Sequence, residues 1–168
     1  MLLDELRVRL GALTRELATV PGATLTRPQP VERRQLRDYV VDRDLLNVSE
    51  RLFADGHHAR AVEEAFKYMN NLVKERSGRM DLDGAQLMRT ALSVKNPILR
   101  LNAGASSSEQ DEQQGYMDIC AGSMTGIRNP RAHESDWEDQ EEHALHLLIL
   151  ADHLIGRIRA ATKTSSTP

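Results

Sequence analysis

Arg128-Asn129-Pro130-Arg131-Ala132-His133 sets a permanent cation and a titratable imidazole five positions apart. Arginine grips a phosphate through two parallel N–H donors, and histidine exchanges protons near neutral pH. The pair suits chemistry on a phosphodiester: one side chain holds charge on the phosphorus oxygens while the other moves a proton. Asn129 is either an orienting group for a phosphate or a water, or the cap of the turn that Pro130 begins. Arg131 is either a second phosphate ligand or a solvated cation. Glu134 follows His133 directly, where a carboxylate can orient an imidazole and raise its pKa, or simply favour a helix start. The bland alternative for the whole hexapeptide is a helix terminus, with Arg128 on the last carbonyls and His133 in a local hydrogen bond.

Other reactive side chains carry weaker signals. His143, His146 and His153 fall on one side of a helix, with Asp139 four residues before His143. A metal needs three or four converging ligands, and this spacing matches no common metal motif, so exposed histidines are the expectation. His57 and His58 are adjacent and point different ways, which disfavours one shared metal. Cys120 lies on an apolar stripe and reads as core. No Gly-x-x-x-x-Gly-Lys phosphate loop occurs, and Tyr68, Tyr116 and Trp137 are too scattered to form a stacking platform for bases.

The elements that must position the Arg–His pair follow from periodicity. Proline pushes the preceding residue out of the helical region, so a break is expected at Asn129-Pro130, with Arg128 closing one helix and His133 on the short turn after it. The helix before it spans about 108–128, with Tyr116, Ile119, Cys120, Ser123, Met124 and Ile127 inward. Gly115, Gly122 and Gly126 share another side, where a neighbouring backbone is expected to approach closely. Ser135-Asp136-Trp137-Glu138 fits a capping box and opens a last helix to about Ala161. Upstream, helices are expected over 2–19, 33–54, 57–77 and 84–94. Pro21-Gly22, Gly56, Ser77-Gly78 and Asn96-Pro97 separate or end them, and Asp83 caps the fourth. Residues 103–108 read as a small-residue loop.

At 168 residues the chain is long enough for one real core, and its scarcity of aromatics favours helices over sheets. A lone cysteine excludes an internal disulfide and fits a reducing cytoplasm. Charges at Asp4, Glu5 and Arg7 do not fit a signal peptide, and no apolar run approaches the roughly 20 residues that span a membrane. Residues 74–100 carry six cations against three acids, whereas 109–142 carry ten acids against two arginines. RNA binding at the motif therefore requires the basic segment, or a second copy, to lie beside it.

The spacing of Arg128, the polar Asn129 and His133 resembles the arginine–histidine signature of the HEPN superfamily, helical domains that often act as ribonucleases. Leu52-Phe53-Ala54-Asp55-Gly56-His57, Asp83-Gly84-Ala85-Gln86-Leu87-Met88, Asn96-Pro97, Gln114-Gly115, Ala121-Gly122 and the run from Gly126 to Glu134 are similar, in that order, to its Ymh-like branch. The resemblance covers Val48 to Arg159. It implies an all-α, HEPN-like helical bundle over 48–161, with an N-terminal helical extension over 1–47 and a disordered tail over 162–168. It also implies a homodimer in which two Arg–His pairs meet, and metal-independent cleavage of single-stranded RNA without a cofactor. Arg128, His133 and Asn129 would be catalytic and Arg131 substrate-binding. The implied setting is a cytoplasmic toxin or abortive-infection effector against phage, partnered by an antitoxin protein. Some HEPN toxins carry a modifiable tyrosine two places after the histidine; Ser135 stands there in this chain. A non-catalytic module that binds RNA, a nucleotide or a protein is the alternative.

Overall fold

The structure, a computed structural model, describes residues 8, 9, 11, 12 and 35–164. The first four are helical. The rest of the expected 2–19 helix, the linker after it and the tail beyond Thr164 lie outside the described residues. A compact unit starts at Gln35. The expected boundary at 47/48 therefore falls inside a helix, because Leu36, Val40 and Leu45 are already core residues.

Apolar side chains at helical spacing build this unit. After a 3-10 turn at Leu36–Asp38, helix α1 runs over Arg43–Ala54 and α2 over His58–Ser77. Helix α3 spans Gly84–Ala91 and α4 Ser107–Ser123. A π-helical turn at Met124–Arg128 leads into the short α5, Asn129–His133, and α6 spans Glu141–Ala160. This is an all-α bundle. Two-residue strands β1 (Leu99–Arg100) and β2 (Thr162–Lys163) pair antiparallel. Thr164 extends that pairing, its N–H donating to the Ile98 carbonyl at 2.9 Å. The chain is therefore ordered through Thr164 rather than released at 162.

Helix α2 is central. Ala61, Val62, Ala65, Phe66, Met69, Leu72 and Val73, the stripe expected from periodicity, are all buried. They pack against α1, α3, the π turn, α5 and α6. Gly78 ends α2 in the left-handed region, φ 78°. Asp83 caps α3, its Oδ1 accepting from the Gly84 N–H at 2.8 Å.

The expected continuous helix over 33–54 is interrupted at residues 39–42. Asp152 of α6 accepts the Val41 and Asp42 N–H groups at 3.1 and 2.8 Å and holds the chain extended there. Asp42 then caps α1. The Asp42 carboxyl is raised by burial, but Arg159 and the capped N–H groups outweigh that and hold it below the usual carboxylate range.

Candidate functional site

The sequence predicts a break before Pro130. The chain instead stays helical through it: Arg128 (φ −71°, ψ −48°) and Asn129 (φ −63°, ψ −42°) both have right-handed helical torsions. The helix absorbs the proline by widening. The Asn129 N–H reaches back five residues to the Met124 carbonyl, the bond of a π turn, immediately before the residue that has no N–H to give. Asn129 is therefore not a cap; its Oδ1 accepts from Arg128 Nη1 at 3.4 Å.

The two motif arginines differ sharply. Arg131, expected to be a solvated or substrate-facing cation, is 8 % exposed. Its Nε and Nη2 donate to the two carboxylate oxygens of Asp139 at 2.6 and 2.7 Å. Its Nη1 donates to the Ile127 carbonyl at 2.7 Å. The guanidinium lies over the Trp137 ring, 5.4 Å from its centroid. Asp139 has only 2 % of its side chain exposed and meets His143 Nδ1 at 3.2 Å. Burial pushes the Asp139 carboxyl up, but the bonds and charge of Arg131, helped by Trp137 and His143, bring it below the usual carboxylate range. With its side chain 3 % exposed and its charge paired with Asp139, Arg131 is not presented to a substrate phosphate.

Arg128 is half-buried, and its Nε is buried without a hydrogen-bond partner. Among the described residues no carboxylate bonds to it, although its charge reaches Asp83. Asp83 is held low chiefly by the Lys74 hydrogen bond, 2.8 Å, against the opposing effect of burial, with the Gly84 N–H and the charges of Lys74 and Arg128 adding to it. Asp83 and its partner Lys74, at the start of the 74–100 segment, thus lie within electrostatic range of Arg128. His133 ends α5 exposed to solvent. Glu134 is exposed too and makes no bond to His133. His133 lies five positions after Arg128 along the helix, a rise of about 7.5 Å. At helical pitch the two side chains leave the axis on different sides, so one copy of the helix does not clamp a single phosphate between them.

The expected capping box at Ser135–Glu138 does not form. Arg131 holds Asp139 inward, so residues 134–140 run as a loop and α6 begins only at Glu141. Trp137 accordingly lies on that loop, 37 % exposed, instead of on the helix. The capping box sits elsewhere, at Ser106 with Glu109, opening α4. His58 Nδ1 meets the Asp139 carbonyl at 3.3 Å and ties the loop to the start of α2. Sequence reasoning missed Asp139 as a structural partner, because its link to Arg131 follows neither helical nor strand spacing.

The remaining candidates settle as follows. Cys120 is buried, and burial pushes its thiol up to about 12, which suits core rather than nucleophile. His143, His146 and His153 are exposed; His143 faces Asp139, and His153 Nε2 bonds the Tyr116 hydroxyl at 2.7 Å. Among the described residues no three histidine, cysteine or carboxylate side chains gather as a metal site. No described helix is long and apolar enough to cross a membrane. Gly115, Gly122 and Gly126 face open space: no atom lies within 4 Å of where a Cβ would stand. Of the two neighbours that could approach that side, a helix of the same chain or a second copy, no helix of the same chain does so among the described residues, and Ile119 beside it is 48 % exposed.

A family model described as a protein of unknown function (Hypoth_ymh) matches residues 40–158. No curated protein and no solved structure matches the chain.

Proposed function

The chain belongs to that family of unknown function, and from the geometry of its motif we propose that it is a HEPN-like, metal-independent endoribonuclease acting on single-stranded RNA. One observation carries the reading. The fold commits Arg131 to a buried ion pair yet, among the described residues, leaves Arg128 and His133 without carboxylate partners, on a helix reshaped by a π turn. Arg128, which bonds only its neighbour Asn129 among the described side chains, and the exposed imidazole of His133 are the side-chain types that phosphodiester cleavage asks for. Asn129 accepts from Arg128 and helps fix its direction.

In the reaction the ribose 2′-OH attacks the adjacent phosphorus. The O2′–P bond forms, the P–O5′ bond breaks, and a cyclic phosphate remains. His133 takes the hydroxyl proton or returns one to the leaving oxygen, an effect worth about 10²–10⁴ in rate. Arg128 balances charge on the non-bridging oxygens, where losing a single donor costs about 10²–10³.

Because the two side chains diverge on one helix, the reading includes a homodimer in which pairs from two copies converge. The open stripe of Gly115, Ile119, Gly122 and Gly126 leads along the helix toward the motif and is the face assigned to the second copy. The apolar side of α6 is not open for this role: Ala144, Leu148, Ala151, Leu154, Ile155 and Ile158 are buried within the chain. A toxin or anti-phage effector held by an antitoxin is the setting that fits such an activity. Binding without cutting is the second reading. It is favoured by the acid-rich 109–142 stretch, much of which is solvent-exposed in this fold.

The test is cleavage of single-stranded RNA by purified protein in the presence of a chelator. Arg128→Ala and His133→Ala should each abolish cutting while keeping the helical spectrum, and a deoxyribose at the cut site should block it. Cutting by either variant at the wild-type rate would place the activity elsewhere. Intact RNA with the wild type, together with harmless expression, would favour the binding module.

A further inference from the structure

A cleft of about 400 Å³ opens between the start of α2 and the loop that follows His133. Its size is at the lower end of ligand pockets, which run roughly 300–1,000 Å³. We propose that this cleft binds a nucleobase that carries an amino group, stacked on Trp137.

Charge decides against a phosphate here. Arg60, the one permanent cation on the wall, is spent on Glu63 and Glu64 at 2.7 and 2.6 Å. Asp139 is turned inward to Arg131, with 2 % of its side chain exposed. The wall keeps His57, His58, Trp137 and the carboxylate of Glu138. A neutral, planar, hydrogen-bonding ligand fits such a surface better than an anion does.

Two further observations narrow the class. Trp137 leaves 37 % of its surface exposed, and Arg131 covers only one face of its indole. Base–aromatic stacking accepts any base, because each has a π face. The hydrogen-bonding groups then select. A carbonyl can only accept, so the contact of His58 Nδ1 with the Asp139 carbonyl puts the proton on Nδ1. The neutral ring is left with Nε2 as an acceptor. Glu138 is exposed and is also acceptor-only. Two acceptors call for N–H donors on the ligand edge, which adenine, cytosine and guanine offer through exocyclic amines.

Ser135 is two residues beyond His133, at most about 7 Å of chain. A base held on this loop would therefore belong to a nucleotide near the scissile phosphate. That assignment to the substrate rests on the ribonuclease reading; binding in the cleft does not.

Trp137 is the only tryptophan of the chain, so its emission reports on this cleft alone. Titration of the full-length protein with adenosine monophosphate should change that emission saturably. Uridine monophosphate should bind several-fold more weakly, and ribose 5-phosphate should have no saturable effect. By calorimetry Trp137→Ala should weaken adenosine monophosphate about tenfold or more, and Trp137→Phe, which keeps a ring, about threefold or less. Glu138→Gln, at an exposed position that does not threaten folding, should narrow the preference for adenosine over uridine. Absence of saturation with adenosine monophosphate at about 10 mM would overturn the proposal, since binding weaker than that is too slight to matter. So would equal binding of ribose 5-phosphate, which would mark a phosphate site, or equal binding of uridine monophosphate, which would remove the amino edge. Saturable binding in a protein that never cuts RNA would sink the ribonuclease reading and leave the cleft assignment standing.

Discussion

Arg131 places a charged head in the core and satisfies it with Asp139, Ile127 and Trp137, whereas Arg60 makes its ion pairs from a side chain more than half exposed. The two arrangements differ greatly in what their loss costs. Breaking a buried pair by removing one partner costs about 3–5 kcal/mol, because the other charge is stranded. An exposed pair contributes about 0–1 kcal/mol. Arg131→Ala should therefore lower unfolding stability by about 3–5 kcal/mol in a denaturant titration, and Arg60→Ala by less than about 1 kcal/mol. A drop of under about 1 kcal/mol for Arg131→Ala would contradict the burial and partners assigned to it. The same pair sets a pH dependence. The Asp139 carboxyl is lower in the folded chain than its ordinary value of about 4. Its contribution is complete above that value and is lost as pH falls through the lower, folded one. Stability should decline on acidification below about pH 4, and Asp139→Asn should flatten that part of the profile.

Helix ends at the element scale separate local signal from tertiary override. Ser106-Ser107-Ser108-Glu109 and Ser135-Asp136-Trp137-Glu138 both fit a capping box, yet only the first forms. Ser106 Oγ accepts the Glu109 N–H at 3.2 Å, and Glu109 Oε2 accepts the Ser106 N–H at 3.2 Å. Ser106→Ala should cost about 1 kcal/mol, and Ser135→Ala less than about 0.5 kcal/mol, as thermal melts of the two variants would read. Equal costs would mean that residues 135–138 are helical in solution. Pro130 shows the same override from the other side. Its ring would meet the carbonyl four residues back in a regular α-helix, and the π turn before it moves that carbonyl away.

For the whole molecule, the dimer is where monomer stability and assembly respond in opposite directions. Gly122 has open space around the position of a Cβ, and glycine in a helix interior costs about 1 kcal/mol relative to alanine. Gly122→Leu should leave the isolated fold intact or slightly more stable. If the glycine stripe is the face between copies, the same change should overpack it, at about 1–3 kcal/mol. Sedimentation should then show a dimer for the wild type and a shift toward monomer for the variant. Sedimentation as monomer alone at micromolar concentration would remove the composite site, and with it the need for two Arg–His pairs to converge.

Amphipathic periodicity determined that α2 would bury its stripe of Ala61, Val62, Ala65, Phe66, Met69, Leu72 and Val73 and that Cys120 would be core, and local stop and cap signals that Gly78 would end α2 and Asp83 cap α3. These are local properties: side-chain spacing, a left-handed turn, a cap within reach of its own backbone. Arg128 and His133 stand out in the sequence by residue type and spacing alone. The tertiary structure decided the rest. It drew Arg131 inward, since only the fold brings Asp139 to it across eight residues. It kept Asn129 helical, since a π turn can absorb a proline that would break a regular helix. It delayed α6 to Glu141, since one buried ion pair outweighs a cap worth about 1 kcal/mol. It also tied β1 to β2, a pairing between segments far apart in the chain that no periodicity encodes. Sequence fixes what a residue can do within a turn or two of itself, and long-range contacts decide which of those options a buried charge is allowed to take.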